Sequence, residues 1–281
     1  MKTLDWPLES AQIDLTPKQR WFHAGSNLCL DFHGDPLRAK LVVYSDGNHH
    51  MALQQSMQQF LKLHPDANDI FYATTPPGVL VNALQNNGLV LGNLTISAKP
   101  HIFIGPEDIL NKLVEQKYCE RYSKFIKSQG NVLLVLKDNP LNIKTIDDLF
   151  QENVCLFLSN PQTEKASYQV YFEFLLNTGL TQQKIASLKT YYGSKIHHRE
   201  APQALINGDA NVAVVYYHLA LRYCRIFPEL FDIVELVPLL HDSNPITEYA
   251  IGIVGDGGQY GELFFRFMQS EQVRGIYNEH G

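Results

Sequence analysis

The chain has 281 residues, 45% of them hydrophobic and 19% charged, and a net charge of -6 at neutral pH. This composition is that of a globular protein, and the length favours two lobes over a single core. No stretch provides the roughly 18 uncharged apolar residues of a membrane span, and acidic and basic residues are interleaved without a Lys/Arg cluster. These features exclude a transmembrane segment and argue against a nucleic-acid partner.

The N-terminal region shows no regular pattern. Residues 1–22 contain no basic segment followed by an apolar one, so no signal peptide is recognised. We therefore expect a cytoplasmic protein if the numbered chain is native, and a periplasmic or extracellular protein if a leader was removed. Residues 1–40 are predicted to form an ordered N-terminal extension.

From residue 41 onwards, strand-like and helix-like segments alternate. The apolar run at 41–45 predicts a strand, the helical spacing at 50–64 predicts a helix, and 69–75 predicts the next strand. A helix closed by Gly88 follows. Further apolar runs that end in polar loops lie at 101–106, 131–140, 153–161, 211–217 and 247–258. One or two helices close the chain, and the pattern implies parallel sheets covered by helices.

The four cysteines lie far apart in the sequence. Cys29, Cys119, Cys155 and Cys224 form no CxxC pair, and three of them lie within apolar runs. This spacing favours buried free thiols over disulfides or a metal set.

Polar residues follow several predicted strands and begin the helices that come next. Helix N-termini present unpaired backbone N–H groups and a positive dipole end, so several of them close together favour an anion. Each polar residue taken alone is also explained as a helix N-cap. The candidate binding residues in these loops are Ser45, Asp46, Asn48, His49, Thr74, Thr75, Thr163 and Ser167.

A metal site is the second hypothesis, because several residues are of types that bind iron or zinc. They are Asp46, His49, His198, Tyr216 and His218. No HxxxH or HExxH motif supports it. Asp31, His33 and Asp35 could also hold a cation, although a Gly-Asp-Pro turn explains that segment better.

Motifs for nucleophilic catalysis or for a cofactor are absent. The sequence has neither a GxSxG elbow nor a GxxxxGK[ST] loop, and the GDGG segment at 255–258 lacks the GxGxxG order. We therefore expect no cofactor. An enzyme with His49 or His198 as general base remains an alternative, as does a cytoplasmic ligand sensor that acts through a protein partner.

Six segments in order resemble the landmarks of type II periplasmic solute-binding proteins, in particular the molybdate-binding extracellular subgroup. They are LVVYSDGNHHMALQQSMQQFLKLHPD, HIFIGPEDILNKL, NVLLVLKDNPLNIKTIDDLF, LSNPQTEKASY, ALINGDANVAVVYYHLA and FRFMQSEQVRGIYNEHG. The resemblance extends from about residue 41 to the C-terminus.

This resemblance implies a two-lobed α/β fold in which each lobe is a mostly parallel sheet flanked by helices. It also implies a hinge of two crossing strands and a ligand held between the lobes. One lobe would comprise residues 41–125 and 243–281, and the other, with the hinge segments, residues 126–242. The first 40 residues have no counterpart in the family pattern.

The resemblance also implies roles for individual residues. In molybdate binders, hydroxyl and backbone N–H groups of the first two strand-end loops hold the oxyanion from one lobe, whereas the other lobe supplies backbone N–H groups and a tyrosine hydroxyl. In this sequence those positions fall on the loop of Ser45, on Thr74 and Thr75, on the turn near Ala166, on His198 and on Tyr216.

Ferric-ion binders of the same fold are the rival family. They use a histidine of the first loop and a pair of tyrosines, which correspond here to His49, Tyr216 and Tyr217. The first loop also departs from the molybdate pattern, since the carboxylate of Asp46 opposes a dianion unless it is turned away or paired.

The resemblance therefore implies a non-enzymatic solute-binding protein for ABC-type uptake. The expected ligand is a small inorganic ion, preferably an oxyanion such as molybdate, tungstate or sulfate, and the alternative is a ferric or other transition-metal ion. The expected transport partner is the membrane component of an ABC transporter, and we expect a monomer.

Overall fold

The computed structural model describes residues 32–67, 70–91, 93–194, 197–236 and 244–281. These residues form two compact units. The first unit contains the described residues from 32 to 128 together with 247–280, and the second contains the described residues from 129 to 246 together with Gly281. Residues 1–31 of the predicted N-terminal extension lie outside the described part of the chain.

Thirteen strands are found among the described residues. They are β1 (Phe32–His33), β2 (Leu41–Ser45), β3 (Ile70–Thr74), β4 (Leu89–Leu91), β5 (Leu94–Ile96), β6 (Ile102–Pro106), β7 (Cys119–Lys127), β8 (Asn131–Leu136), β9 (Leu156–Leu158), β10 (Thr190–Tyr192), β11 (Val212–Tyr216), β12 (Phe231–Val234) and β13 (Glu248–Val254).

The α-helices of the described residues alternate with these strands. They are α1 (His50–Leu63), α2 (Pro77–Gln85), α3 (Glu107–Glu115), α4 (Lys165–Asn177), α5 (Gln182–Ser187), α6 (His197–Asn207), α7 (Tyr217–Ile226), α8 (Gly258–Met268) and α9 (Glu271–His280). Short 3-10 helices lie at Gly47–His49, Pro65–Ala67 and Ile146–Phe150. The described helices include none that is long and apolar enough to cross a membrane.

The first unit is built on a six-stranded sheet with the order β1-β3-β2-β6-β13-β7, and β4 and β5 form a separate hairpin. All five residues of β2 and all five of β3 are buried, as expected for strands that are covered on both faces. The core on one face includes Leu53 and Phe60 of α1 and Phe264 of α8. The core on the other face includes Leu80 of α2 and Leu110 of α3.

The second unit is built on a five-stranded sheet with the order β10-β9-β11-β8-β12. Its core includes Leu133 and Val214 from the strands and Phe174 and Tyr223 from α4 and α7. Cys119, Cys155 and Cys224 are free thiols, as predicted, although Cys224 is only half-buried and Cys29 lies outside the described residues.

The expectation that the sheets are mostly parallel is wrong in both units. In the first sheet β2 pairs in parallel with β3 and β6, whereas β1, β13 and β7 pair antiparallel with their neighbours. In the second sheet β9 pairs in parallel with β10 and β11, whereas β8 pairs antiparallel with β11 and β12. A buried apolar run has the same pattern in either direction, so the sequence could not reveal this mixture.

Candidate functional site

The ends of β2 and β3 bring three hydroxyl groups together in the first unit. Ser45 and Thr74 are register partners in this parallel pair, and both side chains are buried. Thr75 is also buried, and its backbone N–H donates to the carbonyl oxygen of Ser45 at 3.2 Å. Because the carboxyl ends of parallel strands share one edge, these residues lie where α1 and α2 begin.

The loop after β2 turns its carboxylate towards its own backbone. Asp46 is buried, and its Oδ1 accepts a hydrogen bond from the backbone N–H of Asn48 at 2.9 Å. Burial raises the pKa of Asp46 to about 6, although the bond from Asn48 acts in the opposite direction. The turn needs a glycine at position 47, since a Cβ there would lie 2.9 Å from the carbonyl oxygen of Thr74.

His49 is held by aromatic rings rather than presented on the surface. Its ring packs edge-on against Tyr249 with the centroids 4.4 Å apart, and it lies 5.7 Å from Tyr277. Burial, and then the charge of His50, lowers the pKa of His49 to about 3. The imidazole is therefore neutral at physiological pH, which is the form that binds metal ions.

His33 reaches the same edge of the first unit from β1. Its Nε2 lies 3.2 Å from Oγ1 of Thr74, and its ring stacks on Tyr72 with the centroids 4.3 Å apart. Asp35 forms the predicted turn, because its Oδ1 accepts from the backbone N–H of Leu37 at 2.9 Å. Asp31, which was the third possible cation ligand beside His33 and Asp35, lies outside the described residues.

The second unit presents a corresponding edge at the ends of β9 and β11. Tyr216 ends β11 and is 8% exposed. Its ring lies 5.2 Å from that of Tyr171 and 5.4 Å from that of His218. Tyr217 begins α7, and its backbone N–H donates to the carbonyl oxygen of Gly130 at 2.9 Å.

The other candidate residues of the second unit lie near the starts of α4 and α6. Thr163 and Ala166 are exposed, whereas Ser167, in the first turn of α4, is half-buried. His198 belongs to α6, and its side chain is outside the described part of the structure.

Ser159 is a polar residue of this second edge that the sequence did not single out. It follows β9 directly and is fully buried, and its Oγ has no hydrogen-bond partner among the described residues. A buried hydroxyl without a hydrogen-bond partner lowers the stability of the folded protein by about 1–3 kcal/mol. The sequence signal is its place as the first residue of the polar loop at 159–167.

No group of three or more His, Cys, Asp or Glu side chains among the described residues is placed to hold a metal ion. His49 lies in the first unit, and Tyr216 and Tyr217 lie in the second. Each edge instead combines hydroxyl groups with the starts of helices, which suits hydrogen bonding to an anion.

Several solved structures share the fold. Peb3 from Campylobacter jejuni is 15% identical, with a TM-score of 0.62 over 86% of this chain and 98% of Peb3. The periplasmic molybdate-binding protein of Azotobacter vinelandii is 16% identical, with a TM-score of 0.62 over 86% of this chain and 97% of that protein. Iron-bound HitA from Pseudomonas aeruginosa is 13% identical, with a TM-score of 0.55 over 85% of this chain and 83% of HitA.

These likenesses concern the fold, which is the two-lobed α/β fold of type II periplasmic binding proteins. No curated protein matches the sequence. The family model described as bacterial extracellular solute-binding protein matches residues 41–281. With this match over most of its length, the chain belongs to the bacterial extracellular solute-binding protein family and is a solute-binding protein rather than an enzyme.

Proposed function

We propose that the protein binds a small oxyanion of the molybdate, tungstate or sulfate class and delivers it to an ABC-type uptake transporter. The observation that carries this proposal is the group of three buried hydroxyls, Ser45, Thr74 and Thr75, at the ends of two parallel strands. Hydroxyl and backbone N–H groups can donate to each oxygen of a tetrahedral anion. They hold the anion without a neighbouring cation. Ser45 Oγ donates to the carbonyl oxygen of Asp46 at 3.1 Å in this structure, so this hydroxyl would turn to the anion on binding.

The proposed ligand groups extend beyond these three hydroxyls. In the first unit, the Asn48 segment and the start of α1 contribute donors, and His49 supports the loop by packing against Tyr249. In the second unit, the hydroxyl of Tyr216 is the principal donor. The remaining proposed groups of the second unit are Ser159, Thr163, Ala166, Ser167 and His198.

Asp46 modulates the affinity for an anion rather than binding it. Its carboxylate already accepts a hydrogen bond from the backbone N–H of Asn48, and burial raises its pKa to about 6. Protonation removes a negative charge from the loop next to Ser45, so an oxyanion should bind more tightly below pH 6 than at pH 8.

The family and the similar structures support a binding protein for a small ion. The family is described as extracellular, which favours a working place outside the cytoplasmic membrane. The Azotobacter vinelandii protein of the same fold binds molybdate. We propose that the protein acts as a monomer, with the membrane component of an ABC transporter as its partner.

A transition-metal ion is the second candidate, favoured by the neutral imidazole of His49. HitA, which has the same fold, binds iron. In this alternative His49, Tyr216 and Tyr217 are the metal ligands, and Asp46 assists them as an anion.

The substitution Asp46→Asn separates the two candidate ligands, because it should change the affinity for an oxyanion and the affinity for a metal cation in opposite directions. In Asp46→Asn the amide oxygen can still accept from Asn48, but the negative charge is gone. Affinity for molybdate or sulfate should rise about tenfold at pH 7.5, whereas affinity for a ferric or zinc ion should fall by a similar factor. Thermal unfolding of chelator-treated protein with each ion measures the effect, because a ligand of the folded state raises the midpoint.

Asp256→Asn is the matched control for this experiment. Asp256 Oδ1 accepts from the backbone N–H of Gly258 at 3.0 Å, as Asp46 does from Asn48, but it follows β13 at the opposite edge of the sheet. This variant should leave the affinity for either ion unchanged. If no oxyanion stabilises the wild-type protein, or if Asp46→Asn weakens oxyanion binding, the proposal is wrong.

A further inference from the structure

Strand β1 adds a residue to the proposed binding edge from outside the family pattern. The family match begins at residue 41, whereas β1 comprises Phe32–His33. β1 pairs antiparallel with β3, so that Phe32 lies opposite Ala73 and His33 lies opposite Tyr72.

The next residue fixes how closely this segment approaches the sheet. Gly34 has a φ of +86°, and a Cβ at this position would lie 2.0 Å from the carbonyl oxygen of Ile70. A glycine therefore allows β1 to lie against β3 and to keep His33 beside Thr74.

Two contacts fix the orientation of the His33 ring. It stacks on Tyr72 with an interplanar angle of 15°, and its Nε2 lies 3.2 Å from Oγ1 of Thr74. Burial, and then the charge of His50, lowers the pKa of His33 to about 4. The imidazole is therefore neutral at physiological pH, with a hydrogen on one of its two ring nitrogens.

We infer that His33 is a positioning residue that orients the Thr74 hydroxyl towards an oxyanion, which gives strand β1 a role in ligand affinity. The inference rests on the proposed function. If Nε2 carries the hydrogen and donates to Oγ1, the hydroxyl hydrogen of Thr74 is directed away from His33 and can donate to the ligand. An ion with oxygen acceptors fits this arrangement, whereas a bare cation does not.

A double-mutant cycle tests the coupling between His33 and Thr74. His33→Phe keeps a ring that can stack on Tyr72 but loses the N–H, whereas His33→Gln keeps a donor. Thr74→Val removes the hydroxyl with little change of shape. Affinity is measured by calorimetry at pH 7.5, using whichever of molybdate, tungstate and sulfate stabilises the wild-type protein most.

We expect His33→Phe to weaken binding about tenfold and His33→Gln to restore part of the loss. In the Thr74→Val background His33→Phe should have no further effect, because the group through which His33 acts is already gone. A merely structural role of His33 would weaken binding equally in both backgrounds.

The possible outcomes separate this inference from the proposed function. If the wild-type protein binds an oxyanion and His33→Phe binds it equally well, the inference is wrong and the proposed function stands. Equal losses in the two backgrounds would also overturn the inference. If no oxyanion binds the wild-type protein, both proposals are wrong.

A spectroscopic measurement on the wild-type protein covers the case in which His33→Phe does not fold. The ¹⁵N chemical shifts of the His33 ring identify the nitrogen that carries the hydrogen. A hydrogen on Nε2, with a shift that changes when the oxyanion is added, supports the inference. A hydrogen on Nδ1 in both the free and the bound protein would contradict it.

Discussion

At the scale of single residues, Ser159 shows how a group proposed to bind the ligand can lower stability. Its hydroxyl is fully buried and has no hydrogen-bond partner among the described residues. Ser159→Ala should therefore raise the free energy of unfolding by about 1 kcal/mol, because it removes an unpaired buried polar group. The same change should weaken oxyanion binding if the hydroxyl contacts the ligand. Urea unfolding and a ligand titration measure the two effects.

Ser128→Ala is the matched control for this prediction. Ser128 is also a buried serine, but its Oγ accepts from the backbone N–H of Thr247 at 2.8 Å. Its loss leaves that N–H without an acceptor, so the free energy of unfolding should fall by about 1–2 kcal/mol. A destabilised Ser159→Ala variant would show that the hydroxyl has a structural partner.

Individual residues also show what the sequence could predict of the candidate site. Ser45 and Thr74 could be placed at a common edge because they follow two predicted strands of one βαβ unit. Ser159 and His33 were not recognised as parts of these edges. The missing hydrogen bond of Ser159 and the stack of His33 on Tyr72 depend on tertiary packing, which the local pattern does not contain.

At the scale of elements, the pairing of β1 with β3 should depend on Gly34, so that replacing this glycine weakens the pairing. In Gly34→Ala the new Cβ would meet the carbonyl oxygen of Ile70, and the φ of +86° is itself unfavourable for alanine. We expect a loss of about 1–3 kcal/mol in the local stability of β1. Hydrogen exchange at β1 and β3 should accelerate, and oxyanion affinity should fall as it does in His33→Phe.

Gly275→Ala provides the comparison within the same unit. Gly275 lies inside α9, and a Cβ there would have no atom within 4 Å. Alanine should raise the free energy of unfolding by about 0.5–1 kcal/mol, because glycine is a poor helix former. Unchanged exchange at β1 in Gly34→Ala would mean that this strand does not depend on the close approach at Gly34.

The elements differ in how far local patterns predicted them. The helix predicted at 50–64 is observed at His50–Leu63, since its apolar residues lie at helical spacing. By contrast, β1 has two residues and depends on pairing with a strand about 40 positions later, so no local pattern could reveal it. The antiparallel direction of β13 and β7 was missed for the same reason.

At the scale of the whole molecule, the buried titratable groups of the first unit act on stability in opposite directions. The pKa of Asp46 is raised from 3.8 to about 6, so its protonated form is favoured by folding and this contribution is lost as pH rises through 6. The pKa values of His33 and His49 are lowered from 6.5 to about 4 and about 3. Their contribution is present above pH 6.5 and is lost on acidification.

Asp46→Asn isolates the first of these effects, because asparagine does not titrate and the histidines remain in both proteins. The difference in the free energy of unfolding between the variant and the wild type should increase between pH 4 and 6. Across this range the variant should gain up to about 3 kcal/mol in free energy of unfolding relative to the wild type. Above pH 6 the difference should stay constant. Urea unfolding of both proteins between pH 3.5 and 8 measures this difference. A constant difference across this range would mean that Asp46 keeps an ordinary pKa in the folded protein, and its burial would then not explain tighter oxyanion binding at low pH.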